Sequence, residues 1–105
     1  MFDFHSISVY FSIALMEISA HIIVTGLVQG VGFRYFVYAK ATRLGIRGFV
    51  RNNPDGSVEI LAEEDRSLIE ELLREVKVGP RSAQVTDLKI QWKEPGHRYK
   101  EFTIQ

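Results

Sequence analysis

Gly26-Leu27-Val28-Gln29-Gly30-Val31-Gly32-Phe33-Arg34 joins two segments with different periodicities. Upstream, Ala20 to Leu27 is rich in β-branched residues and reads as a strand. Downstream, Phe33, Val37, Ala41 and Leu44 recur at helical spacing, and Gly45 stands where a helix stop belongs. The stretch is therefore a strand–loop–helix junction, with the loop over 28–32 and the helix over 33–44. Three glycines, Gly26, Gly30 and Gly32, allow a sharp turn and a close approach of ligand to backbone. The first helical turn adds unpaired N–H groups and the positive end of the helix dipole. The amides of Gln29, Gly30, Val31, Gly32, Phe33 and Arg34 then form a cradle for a phosphate or carboxylate. Arg34 is a cation at a helix start, a place the dipole disfavours unless an anion completes the site. The glycines alone would be equally served by tight strand–helix packing. Neither nucleotide fingerprint fits: no third glycine follows the Gly30-x-Gly32 pair at the required spacing, and no Gly-Lys-Ser/Thr is present.

Reading outward, Ile46 to Asn52 is a second strand and Asn53-Pro54-Asp55-Gly56 a turn. Ser57 to Glu63 follows as a third strand, with Val58, Ile60 and Ala62 alternating against Glu59, Leu61 and Glu63. The second and third strands form a hairpin. Asp65 to Val78 has one apolar stripe, Leu68, Ile69, Leu72, Leu73 and Val76, with Asp65 or Ser67 as N-cap and Gly79-Pro80 as stop. Acidic residues are read as clustered toward its start, where the dipole favours them. Ala83 to Lys93 is a strand, Pro95-Gly96 a turn, and Tyr99 to Ile104 a short last strand. The order is βαββαβ plus a short strand. Right-handed crossovers convert it into an α+β, ferredoxin-like split βαβ sandwich: an antiparallel sheet with two helices on one face.

Two motifs resemble those of the acylphosphatases. The first is Gly26-x-Val28-Gln29-Gly30-Val31-Gly32-Phe33-Arg34; the second is Gly48-Phe49-Val50-Arg51-Asn52 followed by Asp55-Gly56-Ser57-Val58. A weaker third is Gly79-Pro80 with Ala83 and Val85, and the resemblance covers about residues 18–104. It implies the same fold and the hydrolysis of acyl phosphates, mixed anhydrides of a carboxylic acid and phosphate. It also implies that Arg34 and Asn52 are the catalytic residues, Asn52 positioning the attacking water. The first and second strands of this fold run parallel, so their ends can lie together. At Glu64 the family often has glycine, a difference in a turn rather than in the site.

Composition narrows the alternatives. With 105 residues the chain is one small domain. Thirteen basic and thirteen acidic side chains cancel, unlike a general nucleic-acid binder. No cysteine is present, which removes disulfide and thiolate chemistry and suits a reducing, cytoplasmic location. His5, His21 and His97 are dispersed, and Glu63, Glu64 and Asp65 sit at a helix start where capping explains them. The expectation is an enzyme with no metal and no cofactor. Its partners are a small acyl phosphate and the product phosphate, with no nucleic acid or membrane, and the chain is monomeric. Arg47-Gly48-Phe49-Val50 partly echoes the RNA-binding signature of RRM domains but lacks its later aromatic. An RNA-binding or other non-catalytic anion-binding module is thus the alternative. Phe33, Phe36 and Trp92 are read as core. Residues 1–15 include an apolar run, Ile7 to Met16 marking its extent, too short to span a bilayer and without the basic start of a signal peptide. They are read as an N-terminal extension ahead of a start at Met16, with 16–105 as the domain, ahead of an added terminal segment or a true signal.

Overall fold

The computed structural model describes residues 17–105; the expectations for residues 1–16 lie outside them. Five strands and two helices follow one another as β1 (Glu17–Leu27), α1 (Phe33–Arg43), β2 (Arg47–Asn52), β3 (Val58–Asp65), α2 (Arg66–Val78), β4 (Gln84–Lys93) and β5 (Phe102–Ile104). The sheet order is β4-β1-β3-β2-β5. The four long strands pair antiparallel, as the crossovers require. The short β5 pairs parallel with β2, Gly48 opposite Phe102 and Val50 opposite Ile104, so the complete sheet is mixed.

Alternation in the strands produces one apolar face. Ala20, Ile22 and Val24 of β1, Val50 of β2, and Val58, Ile60 and Ala62 of β3 are buried together with Phe33, Val37 and Ala41 of α1 and Ile69, Leu72 and Val76 of α2. Both helices therefore cover the same face. α1 stops where the sequence places its stop: Ile46 N–H donates to the Ala41 carbonyl and Gly45 N–H to that of Thr42, a Schellman closure around a left-handed Gly45. At α2 the N-cap is Asp65, whose carboxylate accepts from the N–H and hydroxyl of Ser67. The first turn of α2 holds no acidic residue, so this cap, rather than an acidic cluster, satisfies the helix start. Phe33 is core, whereas Phe36 and Trp92 are only partly buried, and the Arg66 guanidinium lies 4.3 Å from the Trp92 ring centre.

One expectation from the alternation fails. Glu63 belongs to the polar set of β3, yet it is 2% exposed. The segment between β4 and β5 crosses over it, and its carboxylate accepts the N–H groups of Gly96 at 2.8 Å and His97 at 3.2 Å. A buried carboxylate is tolerable only with such donors. His97 adopts a left-handed conformation, φ 54°, at this point. The clamp leads the chain on toward β5, and so toward the site described below.

Two carboxylates tie turns to pH. The Ser67 hydroxyl and N–H hold Asp65 below the usual 3.8, and the Ser57 hydroxyl and N–H do the same for Asp55 in the β2–β3 turn. Each native carboxyl is thus more acidic than its unfolded counterpart. Their contribution is complete above about pH 4 and is lost as pH falls through the depressed values. The melting temperature should accordingly fall between pH 5 and pH 2, both roughly bracketing that window. A flat profile there would separate these caps from stability.

Candidate active site

Register brings the two motifs together. Val58 of β3 lies opposite Val24 on one side and Asn52 on the other. β1 and β2 thus run parallel with one strand between them, about 10 Å apart at two strand spacings. The loop leaving β1 needs to cross only that distance to meet Asn52.

The three glycines divide into two jobs. Gly26 sits at a register shift between β1 and β4, where a Cβ would lie 2.1 Å from the Gln84 carbonyl oxygen. Its role is close packing of strand on strand. Gly30 and Gly32 are different: both are left-handed, φ 73° and 77°, and a Cβ would meet nothing within 4 Å. What they supply is backbone direction, and alternating left- and right-handed residues turn successive N–H groups inward. Gly32 is also the N-cap of α1, offers no side-chain cap, and no acidic residue stands in the first turn. The orphan N–H groups of this helix start therefore remain available to an external anion.

A cleft of about 210 Å³ opens at this point, lined by Val28, Gly30, Gly32, Phe33, Arg34, Tyr35, Asn52 and Ile104. Arg34 and Asn52 share it, and so do three of the expected loop residues. Gln29 and Val31 are not in its lining. The Gln29 side chain turns away and donates to the carbonyl oxygens of Asn53 and Ser57, both at 2.8 Å. The Val31 carbonyl accepts from the Ser82 hydroxyl at 3.2 Å. Gln29 is thus a staple between the cradle loop and the turn after Asn52, a role visible only once the two loops meet. Gln29→Ala should cost about 1–2 kcal/mol in a urea titration, the range for losing buried hydrogen bonds. An unchanged midpoint would show that the turn holds itself.

The electrostatics of the cleft are simple. Among the described residues its lining includes one cation, Arg34, and no carboxylate. Arg34 Nη1 donates to the main-chain oxygen of Gln105 at 3.0 Å. That oxygen is placed by β5, because Gln105 N–H donates to the Val50 carbonyl at 2.8 Å. The sequence reading missed this support, which comes from the other end of the chain. The Asn52 Oδ1 is buried and has no hydrogen-bond partner among the described residues. A buried acceptor left unmatched is uncommon outside sites of function or strain. Among the described residues no group of three His, Cys, Asp or Glu side chains could hold a metal ion.

The open face of the sheet argues against base stacking. Phe49 is buried between Tyr99, ring centres 5.9 Å apart, and the Arg51 guanidinium, 5.0 Å from its ring centre. Beside it Glu59 accepts from His21 at 2.6 Å and from Arg51 at 3.0 Å. The aromatic of the RRM-like echo is thus already occupied by its own neighbours.

The acylphosphatase family model matches residues 20–104, which span every element of the fold except the start of β1. The chain belongs to the acylphosphatase family. An acylphosphatase of Caldanaerobacter subterraneus subsp. tengcongensis is 48% identical over 89 residues, covering 85% of this chain and 99% of that one. An acylphosphatase of Chlorobaculum tepidum is 43% identical over 90 residues, 86% of this chain and 98% of that one. The crystal structure of acylphosphatase from Bacillus subtilis superposes with a TM-score of 0.81 at 39% identity, covering 84% of this chain and 98% of that one. These acylphosphatases agree with the α+β, ferredoxin-like fold described above, and they favour an enzyme over a binding module. Among the described residues no helix is long and apolar enough to cross a membrane.

Proposed function

We propose that this acylphosphatase hydrolyses acyl phosphates without a metal, with Arg34 and Asn52 as its catalytic residues. The observation that supports the assignment of residues is the cleft itself: an uncapped helix start, Arg34 and Asn52 line the same small space. The amides of the loop 29–34 hold the phosphoryl oxygens, and Arg34 adds charge-assisted donors. The Asn52 amide holds the attacking water in line with the leaving group. The water oxygen bonds to phosphorus as the bond from phosphorus to the acyl oxygen breaks, and that electron pair departs with the carboxylate. A neutral amide cannot take the water's proton, so a phosphoryl oxygen of the substrate receives it. The carboxylate is a good leaving group, which removes the need for a general acid. Positioning and electrostatic stabilisation are the main contributions in phosphoryl transfer.

A cation bound by the protein has no place in this scheme, because the cleft offers no carboxylate or imidazole ligand. Phosphate release from an acyl phosphate should survive prolonged EDTA treatment and need no added magnesium. Activity lost to the chelator and restored by one divalent ion would contradict it. A cytoplasmic location and a monomeric state complete the proposal; the lack of cysteine supports the former. Neutral net charge and the occupied Phe49 ring support leaving nucleic acid out of the list of partners.

A further inference from the structure

The cleft has a second, chemically different part. Tyr35 and Ile104 line it and are 68% and 42% exposed. Exposed large side chains gathered beside a polar cleft offer contact surface to the part of a ligand that lies outside it. The core does not need Tyr35: α1 buries Phe33, Val37 and Ala41, and Tyr35 stands two residues after Phe33, on another side of the helix. Its ring rests against Tyr38, centres 6.1 Å apart and planes tilted by 36°. That contact steadies the ring while leaving most of it open. Ile104 arrives from β5, beside the strand that ends in Asn52.

An acyl phosphate is likewise a molecule of two parts. Its phosphoryl group matches the amides and Arg34. Its acyl group must lie beyond the bridging oxygen, outside the phosphate cradle. The cleft is smaller than the 300 Å³ or so at which drug-sized pockets begin, so the acyl group sits at the mouth. The exposed side chains there are Tyr35 and Ile104. An apolar acyl group covering them removes both surfaces from water, whereas a very small one leaves the ring wet.

We propose that Tyr35 and Ile104 form an acyl-selecting rim, and that this enzyme favours acyl phosphates whose acyl group is apolar and bulky, aromatic above all. The proposal rests on the acyl phosphate reading of the cleft. Its test compares benzoyl phosphate with acetyl phosphate on the wild type, Tyr35→Ala, Ile104→Ala and Tyr35→Leu. Both substrates present the same phosphoryl group and release a carboxylate, so a change in their ratio on mutation reports the rim and not the chemistry. In Tyr35→Ala and Ile104→Ala the benzoyl-to-acetyl ratio of kcat/KM should fall by roughly tenfold, the discrimination one apolar contact supplies. The fall should come mainly from the benzoyl phosphate KM, and inhibition by inorganic phosphate should shift far less. Tyr35→Leu keeps an apolar side chain and should recover most of the ratio. An unchanged ratio in both alanine variants, or an equal loss on both substrates, overturns the rim while leaving the hydrolysis intact. A wild type that turns over neither substrate overturns the functional reading itself.

Discussion

Arg34→Ala is expected to keep its fold and lose turnover by a few hundredfold, about 3 kcal/mol of transition-state stabilisation, the usual effect of deleting one preorganised donor. Two features lead to this. Among the described residues Arg34 is the single cation in the lining of the cleft, and its guanidinium is oriented by the main-chain oxygen of Gln105. The side chain is only partly buried and outside the hydrophobic core, so its loss should barely move the melting temperature. Arg34→Lys should also be poor, because a point charge cannot hold the Gln105 main-chain oxygen and reach two phosphoryl oxygens in the manner of a planar fork. Turnover near the wild-type value in either variant, measured at saturating substrate, would falsify the assignment.

At Asn52 function and stability should separate. Asn52→Ala should lower kcat by a large factor while inhibition by inorganic phosphate changes little, since the water is needed along the reaction path and the phosphate is held elsewhere. The structure adds a second expectation. Among the described residues Asn52 Oδ1 makes no hydrogen bond, so removing it breaks none within the fold. Asn52→Ala should therefore be as stable as the wild type or slightly more so, the pattern of a residue kept for activity. Asn53→Ala is the opposite case. Its amide donates to the Ser57 hydroxyl at 3.1 Å inside the β2–β3 turn. Deleting that bond should cost about 1 kcal/mol and leave kcat close to normal. Should Asn53→Ala prove as inactive as Asn52→Ala, the turn as a whole, and not the Asn52 amide, would be what the reaction requires.

Both predictions have their origin in the chain but their force in the fold. Local chemistry was legible in the residues alone. Strand and helix periods, the Gly45 stop, the Asp55-Gly56 turn and the Asp65 cap depend on neighbours a few residues apart, and all appear in the structure. The element order, with right-handed crossovers, also implied which face the helices cover, and the motif Gly26 to Arg34 pointed to an anion cradle. What the sequence left open were contacts between residues far apart, because a side chain's partner across the sheet leaves no mark in its own periodicity. Glu63 reads as a surface glutamate until the β4–β5 connection closes over it. Gln29 reads as one more loop amide until its side chain reaches the turn after Asn52. The parallel pairing of β5, which brings the Gln105 main-chain oxygen to Arg34, depends on where a three-residue strand finds a free edge. So the sequence by itself determined which groups the protein has for binding an anion. Tertiary structure decided which of them meet, how they are held, and which apolar side chains, Tyr35 and Ile104, remain uncovered beside them.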